Sequence, residues 1–144
     1  MAKVRRQPAR YPRELLGDVC WCFSRPAFRS LARFEEACRR YYRDVGFKWN
    51  WRPEEVVLPC PRVRVRPVFW DDYVPPDEEG RFLAELAADS PSGFTAGELL
   101  FKVHNVFLRR WEEDAGDHVY FEGFRLVKKP AGDSPPLYSI DVGS

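Results

Sequence analysis

Phe94-Thr95-Ala96-Gly97-Glu98-Leu99-Leu100-Phe101-Lys102-Val103-His104-Asn105-Val106-Phe107 is the stretch on which the fold is read. Thr95 followed three residues later by Glu98 is a capping-box pattern, in which the hydroxyl accepts a helix N–H and the carboxylate reaches back. Phe94 before the cap and Leu99 at the fourth helical position form a hydrophobic staple. Leu99, Leu100, Val103, Val106, Phe107 and Trp111 then recur at helical spacing as one apolar stripe. The spacing predicts a helix over 95–113 that ends around Glu113–Gly116.

A second helix lies upstream. Phe28, Leu31, Phe34, Cys38, Tyr41, Tyr42 and Val45 recur at intervals of three and four, and Gly46 supplies a stop. Ser24 reads as its N-cap and Pro26 as a first-turn residue, giving a helix over about 25–45. Its outer face carries Arg29, Arg33, Arg39, Arg40 and Arg43, with Glu35–Arg39 and Glu36–Arg40 as favourable i,i+4 pairs.

The rest of the chain reads mainly as strands. Val19, Trp21 and Phe23 alternate with Cys20 and Cys22, and Phe47, Trp49 and Trp51 alternate with polar residues. Glu55–Leu58, Arg62–Trp70, His118–Lys128 and Leu137–Val142 are further candidates. In Arg62-Val63-Arg64-Val65-Arg66 the period is two, so arginines line one face and valines the other. Pro59, Pro61 and Pro67 fit strand ends, edges or bulges. Residues 71–77 form an acidic, proline-rich turn, and a short helix is expected over 78–88 with Phe82, Leu83 and Leu86 inward. Residues 1–13 read as a basic tail or edge segment. The expectation is a single domain over 1–144 of the α+β class: a mostly antiparallel twisted sheet with two main helices, 25–45 and 95–113, packed on it.

Composition sets the outer limits. The chain has 144 residues, 44% hydrophobic and 31% charged, with a formal net charge of +1. That suits one domain with a substantial core and excludes disordered, collagen-like and coiled-coil chains. No apolar run approaches the ~20 residues of a membrane span. The N-terminus is basic with no apolar segment behind it, so a secretory signal is not expected and a cytoplasmic, reduced protein is. Cys20, Cys22, Cys38 and Cys60 then serve as small apolar residues. Cys20-Trp21-Cys22 lacks the two-residue spacer of zinc knuckles, and no metal or cofactor is expected.

The near-neutral total hides a dipolar chain. Residues 1–70 hold 16 Lys/Arg against 7 Asp/Glu, whereas residues 71–123 hold 4 against 13. Such asymmetry suggests an interaction surface of one sign. Three chemistries compete for it. The Arg62, Arg64 and Arg66 strand, with Trp49, Trp51 and Trp70 near it in sequence, has the residue types of an RNA-binding module. The acidic second half would repel a polyanion, which disfavours nucleic acid. Asp117, His118 and Glu122 offer an acid and an imidazole for a small-ligand or hydrolytic enzyme. No nucleophile elbow, P-loop or dinucleotide turn accompanies them. His104, beside the apolar stripe, reads as a hydrogen-bonded packing residue rather than a general base. Trp70 and Tyr73, beside Asp71 and Asp72, have the chemistry of protein-interface anchors.

Phe94–Asn105, Asp117-His118, Phe121-Glu122-Gly123-Phe124, Pro136-Leu137-Tyr138 and Gly143-Ser144 together resemble a group of small bacterial α+β proteins. That group is similar to immunity proteins of polymorphic-toxin and contact-dependent inhibition systems. The resemblance covers about residues 90–144 and assigns no catalytic residue. It implies a non-catalytic domain that binds a cognate toxin and occludes its active site. The candidate contacts, taken from the charge map, are Asp71, Asp72, Asp77, Glu78, Glu79, Glu112, Glu113 and Asp114, which would mimic an anionic substrate.

Overall fold

The computed structural model describes residues 11–68, 83–113 and 115–144. In chain order its elements are β1 (Glu14–Leu15), α1 (Leu31–Val45), β2 (Val56–Leu58), β3 (Arg62–Val68) and β4 (Ala84–Ala87). They continue with β5 (Phe94–Thr95), α2 (Ala96–Val106), α3 (Leu108–Glu113), β6 (Tyr120–Lys128) and β7 (Leu137–Gly143). A five-stranded sheet runs β1-β6-β7-β3-β4, and β2 pairs with β5 in a separate two-stranded sheet. The class is α+β, as expected. Three pairings of the larger sheet are antiparallel, but β3 and β7 are parallel, so the sheet is mixed. The β6–β7 hairpin returns the chain beside β3 in the same direction, after the long crossover that a parallel pair requires.

The strands keep the expected period of two. Val63, Val65 and Pro67 are buried while Arg62, Arg64 and Arg66 face the other way. Pro67 pairs only with β7, because β4 reaches no further than Val65. Its missing N–H therefore removes no ladder bond on the β4 side. Val19, Trp21 and Phe23 are buried and alternate with half-buried Cys20 and Cys22. This segment pairs with the start of β6 through Phe121 N–H to the Trp21 carbonyl and Phe23 N–H to the Val119 carbonyl. Glycine is required at two crossings. Gly93, at φ +120°, lies so close to the Leu58 carbonyl that no Cβ fits, and Gly123, at φ +116°, lets β6 approach Gly17.

Four local expectations are corrected. The first helix begins at Leu31 with Ser30 as N-cap, its hydroxyl accepting from Arg33 N–H at 3.2 Å. Both Ser24 and Ser30 have cap chemistry, but the backbone of Pro26 and Phe28 is bonded to side chains of α2, so no helical turn forms there. The helix ends as read, at Gly46 with φ 79°.

The predicted 95–113 helix is two helices with a break at Phe107 (φ −103°, ψ 19°). Steps of four residues from Val103 to Phe107 to Trp111 drift by about 40° each on a 3.6-residue helix. The break brings both aromatics inward, at 5% and 3% exposure, and leaves Val106, read as part of the stripe, exposed.

Residues 84–87 are strand, not helix, because Leu86 pairs with Val63 and is buried there. Residues 78–82 of that predicted helix, Phe82 among them, lie outside the described residues. Residues 47–51 form no strand. Trp49 instead packs on Tyr42 (5.0 Å) and Trp51 (5.1 Å).

One core joins these elements, with Phe34, Cys38, Tyr41 and Tyr42 from α1 and Leu99, Leu100 and Val103 from α2. Phe107→Ala is expected to cost about 3–5 kcal/mol by emptying the α2–α3 junction. Thr95→Ala is expected to cost about 0.5–2 kcal/mol through the lost cap. Urea melts measure both, and a parent-like Phe107→Ala would show that the junction is not core.

Candidate functional site

The most deeply buried polar side chain among the described residues is His104, followed by Asn105 at the end of α2. His104 is fully buried among the rings of Trp21, Phe23, Phe28 and Phe34. Its Nδ1 accepts from the Trp21 indole N–H at 3.2 Å, and its Nε2 lies 3.0 Å from the Pro26 carbonyl oxygen. An indole N–H only donates and a carbonyl only accepts. The ring is therefore neutral with its proton on Nε2. Burial lowers its pKa; the Pro26 bond opposes this and the Arg25 charge reinforces it. Next to it, Asn105 accepts the Phe28 N–H at 3.0 Å and donates to the Phe28 carbonyl at 2.9 Å. The pair clamps the 26–28 segment, and both imidazole nitrogens are used by the fold, as expected of a packing histidine.

Glu98 does more than the capping reading required. Its N–H donates to Thr95 Oγ1 at 3.1 Å as predicted. Its buried carboxylate accepts instead from Asp89 N–H at 2.7 Å and from Lys102 at 2.9 Å. Lys102 also bonds Asp89 (2.8 Å) and the Ala87 carbonyl (2.6 Å). Burial alone would lower the Lys102 pKa, but the bonds to Asp89 and Glu98 outweigh it and raise it. The network ties the exit of β4 to α2.

The arginine strand is engaged within the chain. Arg62 donates to the Asp133 carbonyl at 3.1 Å and lies 3.6 Å from Glu85. Arg64 donates to the Pro135 carbonyl at 3.0 Å. These contacts fasten the 131–136 turn to β3, and Arg66 also has an interaction. Of the enzyme candidates, His118 Nε2 lies 3.6 Å from a well-exposed Asp117 carboxylate. The Glu122 carboxyl lies against Gly143, where an added Cβ would meet it at 2.8 Å.

Of the acidic contacts, Glu112 and Glu113 are exposed at the end of α3, with Arg109 3.8 Å from Glu113. Asp71, Asp72, Asp77, Glu78, Glu79 and Asp114 lie outside the described residues, as do Trp70 and Tyr73.

One surface was not read from the sequence. At the C-terminal end of α1, Val45 is 42% and Phe47 53% exposed. Beside them the Arg39 guanidinium lies 4.3 Å from the Trp49 ring centroid. Arg43 and Lys48 are exposed next to it in sequence. The signal was Gly46: a left-handed cap places the following residue back against the helix, and Phe47 N–H accordingly bonds the Tyr42 carbonyl at 2.9 Å. Among the described residues no three His, Cys, Asp or Glu side chains converge as a metal site, and no helix is long and apolar enough to cross a membrane.

Two outcomes test this account. Asn105→Ala should cost about 1–3 kcal/mol, since both Phe28 backbone groups lose their partners. The His104 pKa is depressed on folding, so its stabilisation is complete above the unfolded value of about 6.5 and declines as pH falls below it. Between about pH 7.5 and about pH 5 the parent should therefore lose more urea stability than His104→Gln, which does not titrate. Equal losses would contradict the neutral imidazole. Compared with known proteins, the chain matches no family model, no curated protein and no solved structure.

Proposed function

We propose that the chain is a non-catalytic, cytoplasmic protein-binding domain of the immunity type, which captures a cognate toxin and occludes its active site. The observation that carries the protein-binding part is the exposed Val45–Phe47 surface with Arg39 stacked on Trp49. Aromatic side chains and arginine are enriched among the few residues that carry most of the binding energy at protein interfaces. Here the patch is held by a left-handed helix cap and by ring packing, so it is presented already ordered. The use of His104 as a structural clamp supports a binding role over a catalytic one. The spent guanidinium groups of Arg62 and Arg64 likewise weigh against the RNA-binding alternative. The toxin-inhibitor assignment rests on the resemblance of residues 90–144 and on the charge map.

In this reading the acidic residues, Glu112 and Glu113 together with Asp71, Asp72, Asp77, Glu78, Glu79 and Asp114, steer a cationic active site toward the domain. The test is co-expression with the product of the adjacent gene. Protection of the cell and a stable complex are expected; neither occurring would remove the immunity reading. Within such a complex, Phe47→Asp should speed dissociation. Charge reversal at Glu112 and Glu113 should chiefly slow association and flatten its salt dependence, because exposed charges act within ~8 Å at physiological salt. Stopped-flow rates at two salt concentrations would decide, and unchanged rates in both variants would discard these contacts.

A further inference from the structure

Of the two i,i+4 pairs expected on α1, Glu36–Arg40 is made at 3.5 Å, whereas Glu35 and Arg39 form no ion pair. Arg39 turns across to the 47–51 connection instead, where its Cζ lies 4.3 Å from the Trp49 ring centroid. Two acids feel its charge, and both are engaged elsewhere. Glu35 Oε1 lies against Gly97, where an added Cβ would meet it at 2.9 Å, and Glu54 pairs with Arg52 at 3.2 Å. Arg39 is exposed and makes neither an ion pair nor a hydrogen bond among the described residues. An indole beneath a guanidinium leaves its N–H groups, which point outward in the guanidinium plane, open to a carboxylate.

The neighbours of Arg39 select what the surface takes. Residues 39–48 carry Arg39, Arg40, Arg43 and Lys48 against one acid, Asp44, and all five are exposed. Arg39 and Arg43 stand four residues apart on one helix face, where like charges repel unless an anion lies beside them. Val45 and Phe47 add exposed apolar area, and the Phe47 ring is set edge-on to Tyr42 with 6.4 Å between centroids. Tyr42 also packs on Trp49 at 5.0 Å, so the apolar and cationic parts stand on one ring system. A small anion would leave Val45 and Phe47 uncovered. A single-stranded nucleic acid needs successive open rings for its bases. Trp49 is engaged by Arg39, Tyr42 and Trp51, which leaves Phe47 as the open ring of this surface.

We propose, resting on the protein-binding reading of this surface, that its occupant is an acidic segment of the partner. A carboxylate of that segment pairs with Arg39, its other acids face Arg43 and Lys48, and an apolar side chain among them covers Val45 and Phe47. Arg39 needs little ordering on binding, because the Trp49 ring already holds it. The exposed Glu112 and Glu113 attract cations, whereas the end of α1 attracts acids. Two patches of opposite sign on one domain fix a partner's orientation as well as its capture.

The full chain is titrated calorimetrically with an acetylated, amidated peptide of repeating Glu-Glu-Phe, with the matching Lys-Lys-Phe peptide and with an oligothymidylate. The acidic peptide should bind saturably and lose affinity as salt rises, and the other two should bind at least about 10-fold more weakly. Arg39→Gln should weaken the acidic peptide about 10-fold or more through a lost charge-assisted bond. Arg39→Lys should recover only part of that loss, since an ammonium offers no fork. Phe47→Ser should weaken binding at every salt concentration, because the lost contact is apolar. Arg109→Gln, which removes the same charge from α3, should bind like the parent, and circular dichroism confirms that each variant is folded. Absence of saturable binding, preference for the Lys peptide or the oligothymidylate, or undiminished binding by Arg39→Gln would overturn the acidic occupant. Cell protection by the co-expressed chain without peptide binding would remove this occupant and keep the toxin reading; peptide binding without protection would do the reverse.

Discussion

The hydrogen bond from the Trp21 indole to His104 Nδ1, with the Pro26 carbonyl on the other ring nitrogen, is the contact on which the fold converges. It joins the segment that covers β6 to the helix that follows β5, at a point fully sealed by aromatic rings. A buried imidazole is tolerated only when both nitrogens are satisfied, and here one donor and one acceptor meet one tautomer. Asn105 extends the arrangement by treating the Phe28 backbone as a strand partner. The consequence reaches α1. Because the 26–28 backbone is bonded to α2, the helix starts at Leu31 with Ser30 as its cap, and its arginine face and aromatic C-terminal end are set from that start.

The charged residues divide into two populations. Some hold the domain together: Arg62 and Arg64 fasten the 131–136 turn, Lys102 and Glu98 secure β4, and Arg125 pairs with Asp141 at 3.2 Å on the sheet. Others, including Glu112, Glu113, Arg39 and Arg43, face solvent from helices. The apparent basic strand thus belongs largely to the first population, whereas Arg39, against the Trp49 ring at the end of α1, belongs to the second.

The Thr95 cap, the inward Val63 and Val65, the alternating Val19, Trp21 and Phe23, and the burial of Phe107 and Trp111 were all legible in the residues. Each depends on local periodicity or on a bond spanning three residues, and both are properties of the chain itself. The candidate site was less legible. Phe47 was read as strand because alternation alone cannot tell a partnered strand from a single aromatic-lined connection. His104 was recognised as a packing residue, but its partners lie 83 and 78 positions away and could not be named.

By itself, then, the sequence determined the class of fold, the capped helix, the faces of the strands and the strongly uneven charge. The tertiary structure alone decided the start of α1, the break at Phe107, the strand at 84–87 and the parallel pairing of β3 with β7. The physical reason is common to these cases. Ser24 and Ser30 are equal as caps, and Leu86 suits a helix or a strand. The choice passes to whichever distant group, Asn105 in one case and Val63 in the other, claims the backbone first.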